Sequence, residues 1–308
     1  MVNVLLVDID SNIPNLALMK ISAWYKAQGD NVGFAVQNPD KVYISCVFTK
    51  NAGQARGVST YYPDAEIDIG GSGISLSKTL PEEIEMIKPD YDLYSSQYSQ
   101  GYTTRGCIRK CPFCIVPEKE GTIQEWQHPA EFHDSRFDTC MIMDNNLFAA
   151  PPHWQAEVFH WFIENKIKML SPQGWDIRLL TEGKAKCLKA VRHAGKIHFA
   201  WDNPKDESAV MKGIDMLLKA GFTKASHILS FYVLSGFNTT FEEDVYRAQK
   251  LKDMGVQAFV MPYKRTPQIR ALARWANRPE LFWSTSFSEY SRGIKVSVNG
   301  KKLQECRR

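Results

Sequence analysis

The chain has 308 residues, 44% of them hydrophobic and 23% charged, with a net charge of +4. Such a length holds one barrel-sized domain or two ordinary ones around a sizeable core, and no run approaches the roughly 18 apolar residues of a membrane span. Seven dispersed cysteines argue against a disulfide framework, and a weak positive balance with scattered basic residues does not favour a nucleic-acid partner.

Residues 2–9, VNVLLVDI, form an apolar run of strand length, with the acids Asp8 and Asp10 at its end. It reads as a first strand rather than a signal peptide, which places the protein in the cytoplasm with no membrane partner. A helical pattern follows through Leu16, Met19, Ile21, Trp24 and Tyr25 to Gly29. Residues 41–48 and 65–73 read as further strands, the last ending in Gly70, Gly71 and Gly73, and residues 75–87 as a poor helix. Strand and helix alternate, so 1–95 reads as a small Rossmann-like, doubly wound domain, with a glycine turn where ligands approach the carboxyl ends of parallel strands.

The alternation continues through 96–265. A strand is presumed at 96–102, and strand-like runs follow at 139–146, 175–181, 196–203, 227–236 and 256–263, with helical patterns at 154–168, 183–194, 206–220 and 240–254. Thr240 with Glu242, Glu243 and Asp244 marks one helix start, while Gly195, Gly221 and Gly255 mark helix ends. Six βα units make an α/β domain related to, but shorter than, the eight-unit barrel. Residues 266–308 read as a C-terminal helical extension whose Trp275, Phe282, Trp283, Phe287 and Tyr290 pack across the open side of that partial barrel, rather than stacking bases beside Arg270, Arg274 and Arg278. A solvated basic tail closes the chain at Lys301, Lys302, Arg307 and Arg308.

The first of these βα connections, YTTRGCIRKCPFCIVPEKEG, holds Cys107, Cys111 and Cys114. Three thiolates this close in sequence can converge on a soft metal centre. No cysteine or histidine follows until His128, so a closed four-ligand zinc site is not written here. A centre held by three thiolates keeps an open position, and an iron–sulfur cluster so held leaves one iron free to bind a substrate or cofactor. Cys46 and Cys140 lie inside apolar strand-like runs, where a small buried hydrophobe is the expected role; with Cys187 and Cys306 they are too scattered for a second cluster.

This CxxxCxxC spacing, with Phe113 before its last cysteine and the flanks RGCxxxCPFCxVPxxEG, resembles the signature of the radical S-adenosylmethionine (radical SAM) superfamily, in the form seen in members with a cobalamin-binding-like domain in front. The resemblance implies a (β/α)6 partial TIM barrel, a [4Fe-4S] cluster on the three cysteines and S-adenosylmethionine on the open iron. It also implies reductive cleavage to a 5′-deoxyadenosyl radical, an external flavodoxin- or ferredoxin-like electron donor, and hydrogen abstraction from a substrate that the motif does not name. The N-terminal domain departs from the family. No histidine precedes His128, so the cobalt-ligating histidine of many members has no counterpart, and cobalamin is either lost or bound without a protein histidine on cobalt.

Functional groups of such barrels sit where strands end. Asp144, Asn145 and Asn146 match the place where the family grips the methionine amino group, although strand ends favour Asp and Asn for turn chemistry alone. Arg178, in an apolar run, needs an anionic partner, either the cofactor carboxylate or Asp176. Glu182 bonds ribose hydroxyls or merely begins a helix. Asp202, beside Trp201, points a carboxylate to the barrel mouth or belongs to a turn closed by Asn203 and Pro204. By resemblance, Ser235 and Gly236 stack near the adenine and backbone groups up to Pro262 meet its edge. No catalytic residue is legible.

Three rivals follow from the same residues. The N-terminal domain suggests a cobalamin-dependent radical SAM methyltransferase. A methylthiotransferase, which shares the cysteine flanks, needs three N-terminal cysteines for a second cluster, and here only Cys46 precedes Cys107. From a different class, the loop could stabilise a non-catalytic binding protein with zinc.

Overall fold

The computed structural model describes residues 1–292; Cys306 and the basic tail lie outside the described residues. The chain divides into two compact units, Met1–Asp144 with Ala150–Lys168, and Asn145–Ala149 with Met169 onward. Both are mixed α/β and contain parallel sheets.

The first unit opens with β1 (Asn3–Asp8), α1 (Leu16–Ala27), β2 (Asn31–Gly33), β3 (Lys41–Ser45), α2 (Ala52–Ser59) and β4 (Glu66–Gly70), the strands pairing in parallel in the order β2-β1-β3-β4. β1 is apolar without alternation because both its faces are covered. Val4 and Leu6 cluster with Leu18, Ile21 and Tyr25 of α1, while Leu5 clusters with Val42, Ile44, Cys46 and Ala55, the last from α2. The Asn15 side chain accepts the Leu18 N–H and starts α1. Of the helix expected over 75–87 only α3 (Glu82–Glu85) forms. Ser75 Oγ takes the N–H groups of Ser77 and Lys78 into a turn, and Pro81 is tolerated only at a helix start.

The unit continues through β5 (Ser99–Gly101), β6 (Thr104–Arg105), α4 (Val116–Lys119), β7 (Gln124–Glu125), α5 (Pro129–Phe132), β8 (Thr139–Ile142) and α6 (Pro152–Glu164) to β9 (Lys168–Leu170), where the chain passes into the second unit. β5 runs parallel to β8, with Gln100 opposite Met141. β6 runs antiparallel to β7, with Arg105 opposite Gln124.

The second unit carries α7 (Glu182–Ala190), β10 (Ile197–Ala200), α8 (Glu207–Lys219), β11 (Leu229–Ser235), α9 (Phe241–Asp253), β12 (Gln257–Pro262), α10 (Pro267–Ala276), α11 (Pro279–Ser284) and α12 (Phe287–Arg292). The strand expected at 175–181 is absent. Asp176 caps a 3-10 turn, Ile177–Leu179, by accepting the Arg178 N–H, and β9 takes the strand's place where the preceding helix was expected to end. Trp175, Ile177 and Leu180 are all buried, a spacing that suits a turn better than the alternation of a strand.

β10, β11 and β12 form a parallel sheet with Ala200 opposite Tyr232 and Ser235 opposite Pro262. Phe199, Phe231, Val233 and Val260 are fully buried, and α9 and α10 pack on β12. α9 starts with a reciprocal cap between Thr240 and Glu243. α10 buries Ile269, Leu272, Trp275 and Ala276, as the helical reading of the extension requires. Asn277 then accepts the Val260 N–H at 2.7 Å and donates to Val260 O at 3.0 Å, covering the outer edge of β12 as a neighbouring strand would.

Candidate metal centre

Residues 106–123 hang as a loop from the β6–β7 ladder. Gly106 has φ of +76°, and a Cβ there would run into the Thr122 carbonyl, so the chain closes on itself only through glycine. Cys107 N–H donates to Gly121 O at 3.2 Å and Cys114 N–H to Cys111 O at 3.0 Å. The Arg109 N–H points at Cys107 Sγ (3.3 Å) and the Val116 N–H at Cys114 Sγ (3.5 Å). Backbone N–H groups thus meet two of the three sulfurs, which are weak acceptors. Cys114 is exposed, and Cys107, Cys111 and Phe113 are partly so.

Among the described residues, no three His, Cys, Asp or Glu side chains are gathered as ligands of a single ion. Three thiols within eight residues still fit a multi-iron cluster as a donor set. Each thiolate of a cluster takes a different iron, whereas a tetrahedral zinc needs its ligands around one point.

Asp144 follows β8 in the same unit, and the loop approach holds its carboxylate. Oδ1 accepts the Thr103 N–H at 2.6 Å, and Oδ2 accepts the hydroxyls of Thr103 and of Thr104, the latter at 2.9 Å. Burial pushes this carboxyl up to about 6 despite those donors. Asn145 and Asn146 belong to the segment counted with the second unit, where Asn146 is buried and its carbonyl closes a turn with the Ala149 N–H.

In the second unit Asp202, Ser235, Gly236 and Pro262 share the carboxyl edge of the β10–β12 sheet. Asp202 Oδ1 accepts the Leu234 N–H at 3.3 Å, and burial raises its carboxyl. Ser235 is fully buried. Gly236, at φ +79°, donates its N–H to Asp244 Oδ2 at 2.9 Å, and Asp244 pairs with Arg247 at 2.6 Å, both wholly enclosed. The sequence marks Asp244 only as an acid at a helix start and Arg247 only as a polar position of an amphipathic helix, so their enclosed pairing is not legible there. Arg178 meets Asp176 at 2.7 Å and Asp206 at 3.2 Å, and Glu182 is an exposed first residue of α7.

The N-terminal sheet reverses its winding between β1 and β3, which is where doubly wound folds take ligands. The two loops there are tied together. Asp10 accepts the N–H groups of Val47 (2.7 Å) and Phe48 (3.0 Å) and the Asn51 side-chain amide (2.9 Å), and Asn15 donates to Ser45 Oγ at 2.8 Å. Gly71 and Gly73 lie so close to the Cys46 and Phe48 backbones that a Cβ at either would collide. Those glycines serve chain packing.

Among known proteins, no family model and no curated sequence matches the chain.

Proposed function

We propose that the chain is a radical SAM enzyme, with a [4Fe-4S] cluster on Cys107, Cys111 and Cys114 and S-adenosylmethionine on the open iron, abstracting hydrogen from a substrate still to be identified. The observation that carries this reading is three thiols on one glycine-closed loop, with no fourth cysteine or histidine before His128. When bound, the cluster and S-adenosylmethionine supply the one-electron chemistry.

The protein's part is binding and orientation. The N–H groups of Arg109 and Val116 donate to two of the sulfurs and orient them within the loop. In the second unit Asp202 brings a carboxylate to the carboxyl edge of the β10–β12 sheet, while Ser235 is fully buried and the Gly236 N–H already serves Asp244. Arg178 already has two carboxylate partners, which leaves its fork less available to a third. Along the chain six strands, β5, β8, β9 and β10 to β12, alternate with helices, the order of elements that a (β/α)6 partial barrel requires. A flavodoxin- or ferredoxin-like donor and a cytoplasmic setting belong to the same reading.

Cobalamin is not part of it. What speaks against it at the β1/β3 crevice is that Asp10 already takes the backbone N–H groups of Val47 and Phe48, and that no histidine precedes His128 to ligate cobalt.

The test is anaerobic reconstitution with iron and sulfide, followed by S-adenosylmethionine and a strong reductant. The wild type should turn brown and release 5′-deoxyadenosine, and replacing all three cysteines by alanine should abolish both properties. Retention of both by the triple variant sinks the proposal. About one zinc per chain and no iron would support a zinc-stabilised binding protein instead, and methyl transfer with retained cobalamin would support the methyltransferase.

A further inference from the structure

The base of the cysteine loop is joined to the N-terminal helices by a chain of four charges. Lys20, on α1, is 2% exposed. An enclosed ammonium is costly unless it is paired, and Lys20 finds the Glu85 carboxylate at 3.3 Å, the Glu85 carbonyl, and Gln127 Oε1 at 3.3 Å. The same Glu85 Oε1 accepts from Arg105 Nη2 at 2.7 Å. Arg105 Nη1 donates to Glu120 Oε1 at 3.2 Å, and Glu120 Oε2 accepts the Gly106 N–H at 3.2 Å, one residue before Cys107. The Arg105 guanidinium lies 3.8 Å from the centroid of the Tyr102 ring, a position that fixes its plane.

The signs alternate along the chain: Lys20 positive, Glu85 negative, Arg105 positive, Glu120 negative. Arg105 and Gly106 stand at the start of the loop, and Glu120 and Gly121 at its end. One guanidinium therefore pins both ends of the segment that carries the thiols. Exposed pairs hold little, but here Lys20 is enclosed and Arg105 and Glu85 are mostly so, and removing one member leaves a buried charge without its counter-charge.

We propose that Arg105 is the positioning residue of the cysteine loop and that Glu85, held by Lys20, sets Arg105, so that the N-terminal segment acts on the thiols through this charge chain. The proposal rests on the loop being the cluster site, and its test is built to fail separately from that reading. Glu85→Gln keeps the shape and removes the charge between Lys20 and Arg105. In the protein as purified, alkylation of each cysteine by iodoacetamide is followed by peptide mass spectrometry, with amide exchange over 106–121 read in parallel. Cys107 and Cys111 should react about tenfold faster than in the wild type, and exchange in the loop should rise with them. Cys187 on α7, partly exposed, should react at the wild-type rate. After reconstitution the variant should hold at most half the iron of the wild type.

A Cys107 rate within twofold of the wild type overturns the proposal. So does an equal rise at Cys46, Cys140 and Cys187, since that reports general loosening. If Glu85→Gln does not fold, Glu85→Asp keeps the charge but shortens the reach, and the same rates decide. If the wild type takes up no iron, the cluster reading falls while the alkylation and exchange results still judge the positioning role.

Discussion

Two single residues titrate in opposite senses. Asp144 has its carboxyl raised by burial from 3.8 to about 6. The folded state therefore holds a proton that the unfolded chain releases, and this contribution is full below about pH 4 and is lost as pH rises through 6. Burial lowers His198 from 6.5 to about 4; its ring stacks on Tyr232 at 4.5 Å and its Nδ1 is buried without a hydrogen-bond partner. That contribution is full above about pH 6.5 and is lost as pH falls through 4. Across the same window the wild type should show little net slope from this pair. Asp144→Asn should gain up to about 3 kcal/mol on the wild type between pH 4 and 7, two pK units at roughly 1.4 kcal/mol each, whereas His198→Phe should lose less than the wild type on acidification. Urea midpoints at pH 4, 5.5 and 7 measure both, and a pH-independent gap between Asp144→Asn and wild type would refute the first. The cysteines were legible because their chemistry is local. The Lys20–Glu85–Arg105 chain was not, because its members stand 65 and 20 residues apart and each alone reads as a solvated charge.

At the scale of elements, the βα alternation could be read wherever a strand was apolar on both faces and its helix ended in glycine, as at Gly221 before β11 and Gly255 before β12. Reading failed where burial came without regular period. Trp175, Ile177 and Leu180 are apolar because a capped turn buries them, and α2 has two glycines and only two buried residues, so it carries no periodic stripe. The edge of β12 was not visible in sequence at all, since its cover is one side-chain amide 17 residues downstream. Asn277→Ala leaves both polar groups of Val260 without that partner, at a cost of about 1–3 kcal/mol, and uncovers a strand edge able to pair with another chain. The expected result is faster exchange of the Val260 amide and more aggregation at high concentration; an unchanged Val260 amide would show that the edge is held by α10 packing alone.

Two compact units within one chain do not unfold as a single two-state system by default, so one midpoint does not describe the whole molecule. A ligand that binds only the native form of one unit stabilises that unit by RT ln(1 + [L]/Kd), and the other gains only what cooperativity passes on. All three cysteines, and the charge chain that ties them to α1 and α3, lie in the first unit. Anaerobic loading with iron and sulfide should therefore raise the transition of the first unit by several degrees, about 3 kcal/mol for a site filled a hundredfold above its dissociation constant. The transition containing β10 to β12 should stay in place. Calorimetry on loaded, chelator-stripped and triple Cys→Ala protein, with amide exchange to assign each transition, separates the outcomes. No shift on loading would mean that the loop binds nothing in the native state, and an equal shift in both transitions would mean that the charge chain does not confine the gain to the unit that holds it.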